Sequence, residues 1–240
     1  MHAFETWGIS DPGLVRQNNE DCWLIDPSLC LAIVADGMGG ASCGEIASAL
    51  AIETVVEYLR DPLVMRPLEE RIEEAVREAN RRVLAHAQTE EGCHGMGSTI
   101  VAALWDLPRV IVANVGDSRA YLCREGRLTQ LSYDQTLVNE LRVKFGLTPE
   151  EVSNFPHKNV LTMAVGTSAD ITIRTREETL LAGDLLLLCS DGLSGPVPDE
   201  EIAAILAAAD PLSAKADRLV EAAKAAGGPD NITAVLLRCE

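Results

Sequence analysis

Three strand-length apolar runs in this chain end on an aspartate beside a glycine, and this recurrence constrains the fold more than any other feature. Ile33-Val34-Ala35 leads into Asp36-Gly37, residues 112–115 into Gly116-Asp117, and residues 186–190 into Asp191-Gly192. A fourth aspartate, in Gly228-Pro229-Asp230-Asn231, directly precedes another apolar run. A single Asp-Gly reads as a turn. Four carboxylates delivered to the ends of buried strands differ, because each loses hydration and each repels the others. A hard cation relieves both costs. Oxygen donors with no His or Cys beside them in sequence select Mg2+ or Mn2+ over zinc or copper. Glu20-Asp21 adds two more carboxylates in a polar segment just before the first strand.

The apolar runs at 29–35, 100–104, 110–115, 185–189 and 232–237 have strand length, all but 185–189 carry β-branched residues, and they predict strands. Helices group separately. Ser42 with Glu45 forms a capping box, after which Ala47, Ala51, Val55 and Leu59 recur on one face up to Asp61-Pro62. A second helix starts near Pro67, with Leu68, Ile72, Val76, Ala79 and Val83 facing inward. Thr148-Pro149-Glu150-Glu151 opens a short helix, and residues 199–228 hold two Ala-rich helical stretches ending at Gly227-Gly228. Strands and helices come in blocks, which predicts an α+β fold with antiparallel sheets over a doubly wound parallel one. No repeat or low-complexity linker interrupts the 240 residues, so a single domain over 1–240 is expected. Its least regular part, 135–162, reads as a lid or specificity insert between two strand blocks.

Hydrophobic residues make up 47% and charged residues 24%, which excludes disorder. A net charge of -17 repels phosphate backbones and anionic membranes, so neither nucleic acid nor a membrane surface is an expected partner. Apolar stretches such as 29–35 are far short of the roughly 20 residues of a spanning helix. Residues 1–8 carry Glu5 and no basic-then-apolar block, so they do not read as a secretory signal, and the expected location is cytoplasmic. Seven cysteines, odd in number and without a Cys-x-x-Cys pair, argue against a zinc cage and a disulfide framework. Most of them are expected as buried small hydrophobes in a reducing compartment.

Four histidines (2, 86, 94 and 157) and no Gly-x-Ser-x-Gly elbow give little support to a Ser/His/Asp hydrolase. Gly-Lys-[Ser/Thr] and the kinase motifs are also missing from the sequence. Carboxylate-held ions that activate water need no separate nucleophile, which leaves hydrolysis of a phosphate ester.

Six motifs in order carry a family resemblance: Arg16-x-x-x-Glu20-Asp21, Val34-Ala35-Asp36-Gly37-Met38-Gly39-Gly40, Gly95-Met96-Gly97-Ser98-Thr99, Val115-Gly116-Asp117-Ser118-Arg119-Ala120-Tyr121, Cys189-Ser190-Asp191-Gly192-Leu193 and Gly228-Pro229-Asp230-Asn231-Ile232-Thr233. Together they resemble the metal-dependent protein serine/threonine phosphatases of the 2C type, in particular their bacterial branch. The resemblance implies a four-layer α/β/β/α sandwich, two antiparallel sheets flanked by helix pairs, in which 135–162 corresponds to a flap. It implies hydrolysis of phosphoserine and phosphothreonine in proteins by direct attack of a metal-activated water. The alternative is a non-catalytic or single-target relative acting as a partner switch.

By the same likeness Asp36 would bridge two Mn2+ or Mg2+ ions, the Gly37 carbonyl would ligate one, and Asp191 and Asp230 would complete the other. Asp117, with Asp191, would hold a third, weaker ion. Glu20 and Asp21 would hold metal-bound waters from behind the ligands. Arg16 would grip the substrate phosphate with its guanidinium fork. Implied partners are phosphorylated proteins, Ser/Thr kinases or their substrates among them, met by a monomer that is cytoplasmic or the cytoplasmic part of a longer membrane-anchored chain. Two departures stand out. Met38 occupies the place where some members carry a His proposed as general acid. Asp134-Gln135 replaces a frequent Asp-His, and Met163 a frequent Arg, so the insert is divergent and its His157 reads as a solvated side chain.

Overall fold

The computed structural model describes residues 4–39, 43–61, 66–148, 151–152, 155 and 160–240. Ser42, Gly40, Pro62 and His157, singled out above, lie outside the described residues. Strands β1 (Phe4–Asp11), β2 (Asp21–Asp26) and β3 (Leu31–Met38) precede helices α1 (Gly44–Arg60) and α2 (Leu68–Thr89). β4 (Gly97–Ser98), β5 (Ile100–Asp106), β6 (Arg109–Val115), β7 (Arg119–Arg124) and β8 (Arg127–Gln130) follow. Then come α3 (Leu137–Phe145), β9 (Arg174–Thr179), β10 (Leu185–Cys189), the single turn α4 (Asp191–Ser194), α5 (Asp199–Ala207), α6 (Leu212–Ala225) and β11 (Ile232–Cys239).

One sheet has the order β1-β11-β10-β7-β8 and the other β2-β3-β5-β6-β9, with β4 pairing β3; the ladders are antiparallel. Alternation along each strand explains why the central runs are apolar at every position. Leu31, Ile33 and Ala35 of β3 pack outward with α1 and α2, while Ala32 and Val34 face the other sheet. Likewise Leu185, Leu187 and Cys189 of β10 pack with α5 and α6, and Leu186 and Leu188 turn inward. Both faces of both sheets are covered, which is the four-layer α+β sandwich, and continuous hydrophobicity follows from it. The expected helix face also holds: Ala47, Ala51, Val55, Ile72, Val76, Ala79 and Val83 are fully buried.

Two expectations need correction. Glu20-Asp21 does not precede the first strand. β1 comes earlier and Asp21 opens β2, both half-exposed and too polar to stand out. Cys43 and Cys93 form a disulfide across 50 residues. The α1–α2 hairpin brings them together by returning the end of α2 to the start of α1, a proximity that spacing along the chain does not reveal. Cys123, Cys189 and Cys239 are buried thiols, as expected.

Candidate metal centre

Both sheets deliver their aspartates to one edge of the sandwich. Asp36 lies near the end of β3 and opposes Asp21 across the β2–β3 ladder. Asp191 begins α4 directly after β10, Asp230 sits two residues before β11, and Asp117 occupies the turn that carries the chain from β6 in one sheet to β7 in the other. The glycines after Asp36 and Asp191 have a packing reason. A Cβ on Gly37 would be driven into the carbonyl of Gly44, and one on Gly192 into the carbonyl of Asn231. These close backbone approaches seat the Asp36 loop on α1 and the Asp191 turn on the Asp230 loop.

The electrostatics of the cluster run in one direction. Burial pushes the fully enclosed Asp36 carboxyl well above the ordinary range, and Asp21, Asp191, Asp117 and Asp230 push it further. Asp191 is raised by burial and then by Asp230, partly offset by a hydrogen bond with Asp36. Burial and then the charge of Asp191 raise Asp117 to about 8. Asp21 rises to about 6 through burial, although Ser190 Oγ and Thr233 Oγ1 donate to its Oδ2 at 2.7 and 2.6 Å. Its other oxygen, Oδ1, is buried with no hydrogen-bond partner. Burial also raises Glu20.

A crowd of hard oxygen donors that suppress one another's ionisation, together with an orphaned buried carboxylate oxygen, fits a divalent cation. Among the described residues, however, no group of three or more His, Cys, Asp or Glu side chains stands ready to hold one ion. The two observations concern different ranges. Charges 8 Å apart still interact by about 2 kcal/mol at an effective dielectric of 20, whereas Mg2+ coordination demands oxygens at roughly 2 Å. The carboxylates are neighbours whose oxygens are engaged elsewhere: Asp191 hydrogen-bonds Asp36, and Arg16 Nη2 pairs with Asp230 Oδ2 at 2.8 Å.

That ion pair is the unexpected feature of Arg16. The residue expected to grip phosphate instead grips a candidate ligand, and it also lies within Coulombic reach of Glu20 and Asp36. Its side chain is 52% exposed, so the pair is weakly held. The segment carrying Arg16 and Glu20 is fixed by Asn231, whose Oδ1 accepts from the Glu20 amide (2.8 Å) and whose Nδ2 donates to the carbonyls of Asn18 (2.9 Å) and Pro12 (3.1 Å). The Glu20 carbonyl also accepts from Ser48 Oγ and from the Gly37 amide. Asn231, Ser190, Thr233 and Thr99 are support residues that the sequence did not reveal. Each stands inside one of the six motifs, but its partner lies tens to hundreds of residues away.

Asp117 faces a cleft of about 690 Å³ that is also lined by Asp191, Arg119, Asp134, Asn139 and Arg142. Arg119 forks onto Asp134 through Nε (3.0 Å) and Nη2 (2.6 Å), and its Nη1 donates to the Tyr121 hydroxyl, which donates to Asp199. Met38 pairs with Gly97 in the β3–β4 ladder, and Met163 packs against the α1–α2 core. Of the insert, α3 is capped by Thr136, and Thr148 with Glu151 makes the reciprocal capping contacts read from the sequence.

Residues 13–236 match the family model described as Protein phosphatase 2C. The chain is 37% identical to the "Serine/threonine phosphatase stp" of Listeria welshimeri over 244 residues, covering 99% of this chain and 95% of that protein. It is 41% identical over 228 residues to the "Serine/threonine protein phosphatase PstP" of Mycobacterium tuberculosis, covering 95% of this chain and 43% of that protein. Among solved structures, the catalytic domain of PstP in complex with two manganese ions superposes with a TM-score of 0.87 at 38% identity, covering 100% of this chain and 99% of that one.

Proposed function

Because this chain belongs to the protein phosphatase 2C family, we propose that the carboxylate cluster at the edge of its sandwich is the two-ion centre of a phosphoprotein phosphatase acting on phosphoserine and phosphothreonine. The ions are Mn2+ or Mg2+, in keeping with the two manganese ions of the PstP catalytic domain. Asp36 and the Gly37 carbonyl would hold one ion, Asp36, Asp191 and Asp230 the other, and Asp117 with Asp191 a weaker third. When bound, the core pair supplies a water acidified enough to attack phosphorus and offsets charge on the phosphoryl oxygens. The observation that carries this reading is the orphaned Oδ1 of Asp21 inside a cluster where burial, and then the charge of neighbouring aspartates, raises the Asp36 carboxyl well above the ordinary range.

The chain's own residues have distinct tasks. Ser190 and Thr233 hold Oδ2 of the Asp21 carboxylate, which leaves the buried Oδ1 to accept a hydrogen bond from a water that the ions would bring. Glu20, seated on Gly44, does the same from the α1 side. Arg16 leaves Asp230 to clamp the phosphate, a change that costs little because the pair is exposed. The four core positions are all present in the sequence, so the partner-switch alternative has no support.

We read residues 1–240 as one catalytic domain with 135–162 as its flap, and phosphorylated proteins, Ser/Thr kinases included, as the partners of a monomer. A cytoplasmic site of action suits these partners. Among the described residues no helix is long and apolar enough to cross a membrane.

The test is phosphate release from phosphoserine and phosphothreonine peptides, with and without Mn2+, beside a phosphotyrosine peptide and a small aryl phosphate. Metal-dependent release from the first two, well above the phosphotyrosine peptide, is expected. Turnover confined to the aryl phosphate would place the activity on small phosphoesters.

A further inference from the structure

The two ends of the Cys43–Cys93 bond flank the strand end that carries Asp36. Cys43 stands in the N-cap position of α1, but its side chain makes no capping hydrogen bond; its sulfur is joined instead to Cys93, just beyond the end of α2. From Cys93 the chain runs through Met96 into β4, which lies along the end of β3, Gly37 pairing with Ser98 and Met38 with Gly97. The Asp36 carbonyl accepts from the Thr99 amide (2.8 Å) and Ser98 Oγ (3.0 Å), and the Asp36 amide donates to Thr99 Oγ1 (3.0 Å). Residues 36–43 and 93–99 therefore form a ring, closed at one end by these hydrogen bonds and at the other by the disulfide.

The ring is tight where it meets the carboxylate cluster. A Cβ on Gly39 would meet Met96 Cβ at 2.9 Å, and one on Gly44, the residue after Cys43, would meet Glu20 Cδ at 2.6 Å. Gly37 in turn lies against the Gly44 carbonyl. A side-chain ligand can rotate to follow an ion, but a main-chain carbonyl cannot, so the place of the Gly37 oxygen is set by the backbone alone. Octahedral coordination at about 2 Å tolerates little displacement. Both sulfurs are buried, yet the turn that carries Cys93 is open to solvent: Glu91, Gly92, His94 and Gly95 are exposed, and a Cβ on either glycine would touch nothing within 4 Å.

We propose that the Cys43–Cys93 bond is a site of thiol–disulfide exchange that sets the affinity of the core ions. This rests on the reading of Asp36 and Gly37 as ligands of those ions. The co-reactant is a dithiol. One of its thiolates attacks the Cys93 sulfur from the open turn, and the Cys43 sulfur leaves and takes a proton. Its second thiol then closes the reductant's own disulfide, and the Cys93 sulfur leaves as a thiol. Two electrons pass to the protein, which gains two S–H groups for one S–S bond. The start of α1 is then no longer tied to the approach of β4, and the backbone of Gly37 is held by hydrogen bonds only.

The experiment is calorimetric Mn2+ titration of the oxidised protein and of protein reduced with dithiothreitol and desalted without oxygen, well below the melting transition and with circular dichroism as the check on folding. Core affinity should fall about tenfold or more on reduction, as when the outer support of a ligand is lost, and return on reoxidation. Cys43→Ala/Cys93→Val, which refills the site with apolar side chains, should match the reduced protein and ignore dithiothreitol. Peptide kcat should fall at limiting Mn2+ and recover in excess. Asp36→Asn is the reference: if it keeps both core ions, the two-ion reading has failed. If it loses them while reduction changes only the melting temperature, the bond is merely structural and the proposal fails. Should the reduced protein unfold, the double variant takes its place, and its unfolding or its wild-type affinity overturns the proposal. Reciprocity gives a second readout on the wild-type protein. In a fixed mixture of reduced and oxidised dithiothreitol, alkylation and mass spectrometry should find the Cys43–Cys93 bond more populated in saturating Mn2+, by the same factor as the affinity change. A population indifferent to Mn2+ overturns the coupling.

Discussion

Asp191 is the carboxylate with the most demands on it: it hydrogen-bonds Asp36, raises Asp117, and is itself raised by Asp230. Asparagine keeps its shape and removes its charge, so Asp191→Asn separates ion binding from folding. Phosphopeptide hydrolysis should fall at least about a hundredfold, the scale for loss of a principal electrostatic group. The metal-free melting temperature should rise, by about 2–4 °C for each kcal/mol of repulsion relieved in a chain of this size. Near-normal turnover would sink the site assignment. Arg16 behaves differently because it neutralises a ligand and sits in solvent. In Arg16→Ala, KM for phosphopeptides should rise severalfold while equilibrium dialysis still finds both core ions bound tightly. A mutant that can no longer bind them would make Arg16 a structural partner of Asp230 and remove it from substrate binding.

At the scale of elements, what was legible follows burial. β3, β5, β6, β10 and β11 are covered on both faces and read as unbroken apolar runs. β1, β2 and β9 are partly exposed, β9 being Arg-Thr-Arg-Glu-Glu-Thr at a sheet edge, and polar edge strands carry no such signal. Asp36, Asp117 and Asp191 were legible because each is spelled beside a glycine at a strand end, and Asp230 because it directly precedes an apolar run. Their supports were not, because Thr233 to Asp21 and Asn231 to Glu20 are contacts between opposite ends of the chain. The Cys43–Cys93 bond is the clearest case of distance defeating sequence. It closes a loop of 50 residues, for which the chain-entropy account gives at most about 4 kcal/mol. Cys93→Ser, or reduction with the freed thiols counted, should therefore lower the melting temperature by on the order of 10 °C, since 1 kcal/mol corresponds to a few degrees in a domain this large. An unchanged melting temperature with both thiols free would show that α1 and α2 hold their hairpin by packing alone.

Taken over the whole molecule, the carboxylate cluster links stability, protons and metal. Asp21, Asp36, Asp117 and Asp191 all have folded values above that of an unfolded aspartate, about 3.9. Each therefore binds its proton more tightly when folded. Its stabilising contribution is whole below about pH 4 and is lost as pH rises through the folded value, near 6 for Asp21 and near 8 for Asp117. Divalent ions bind the folded form and displace the same protons, so their stabilisation must grow over that window. The metal-free melting temperature should fall between pH 5 and 8.5, and the rise on adding saturating Mn2+ should widen steadily across the same range. The net charge of -17 offers a competing source of pH-dependent repulsion, but that field lies at the surface. Salt separates the two, because the Debye length is about 8 Å at physiological ionic strength and shrinks to about 3 Å at 1 M, while buried pairs are screened far less. Differential scanning fluorimetry in 0.1 and 0.5 M KCl should give the same widening at both concentrations, and Asp36→Asn should flatten it. A widening that disappears in salt would locate the proton linkage in the surface charge and detach it from the cluster.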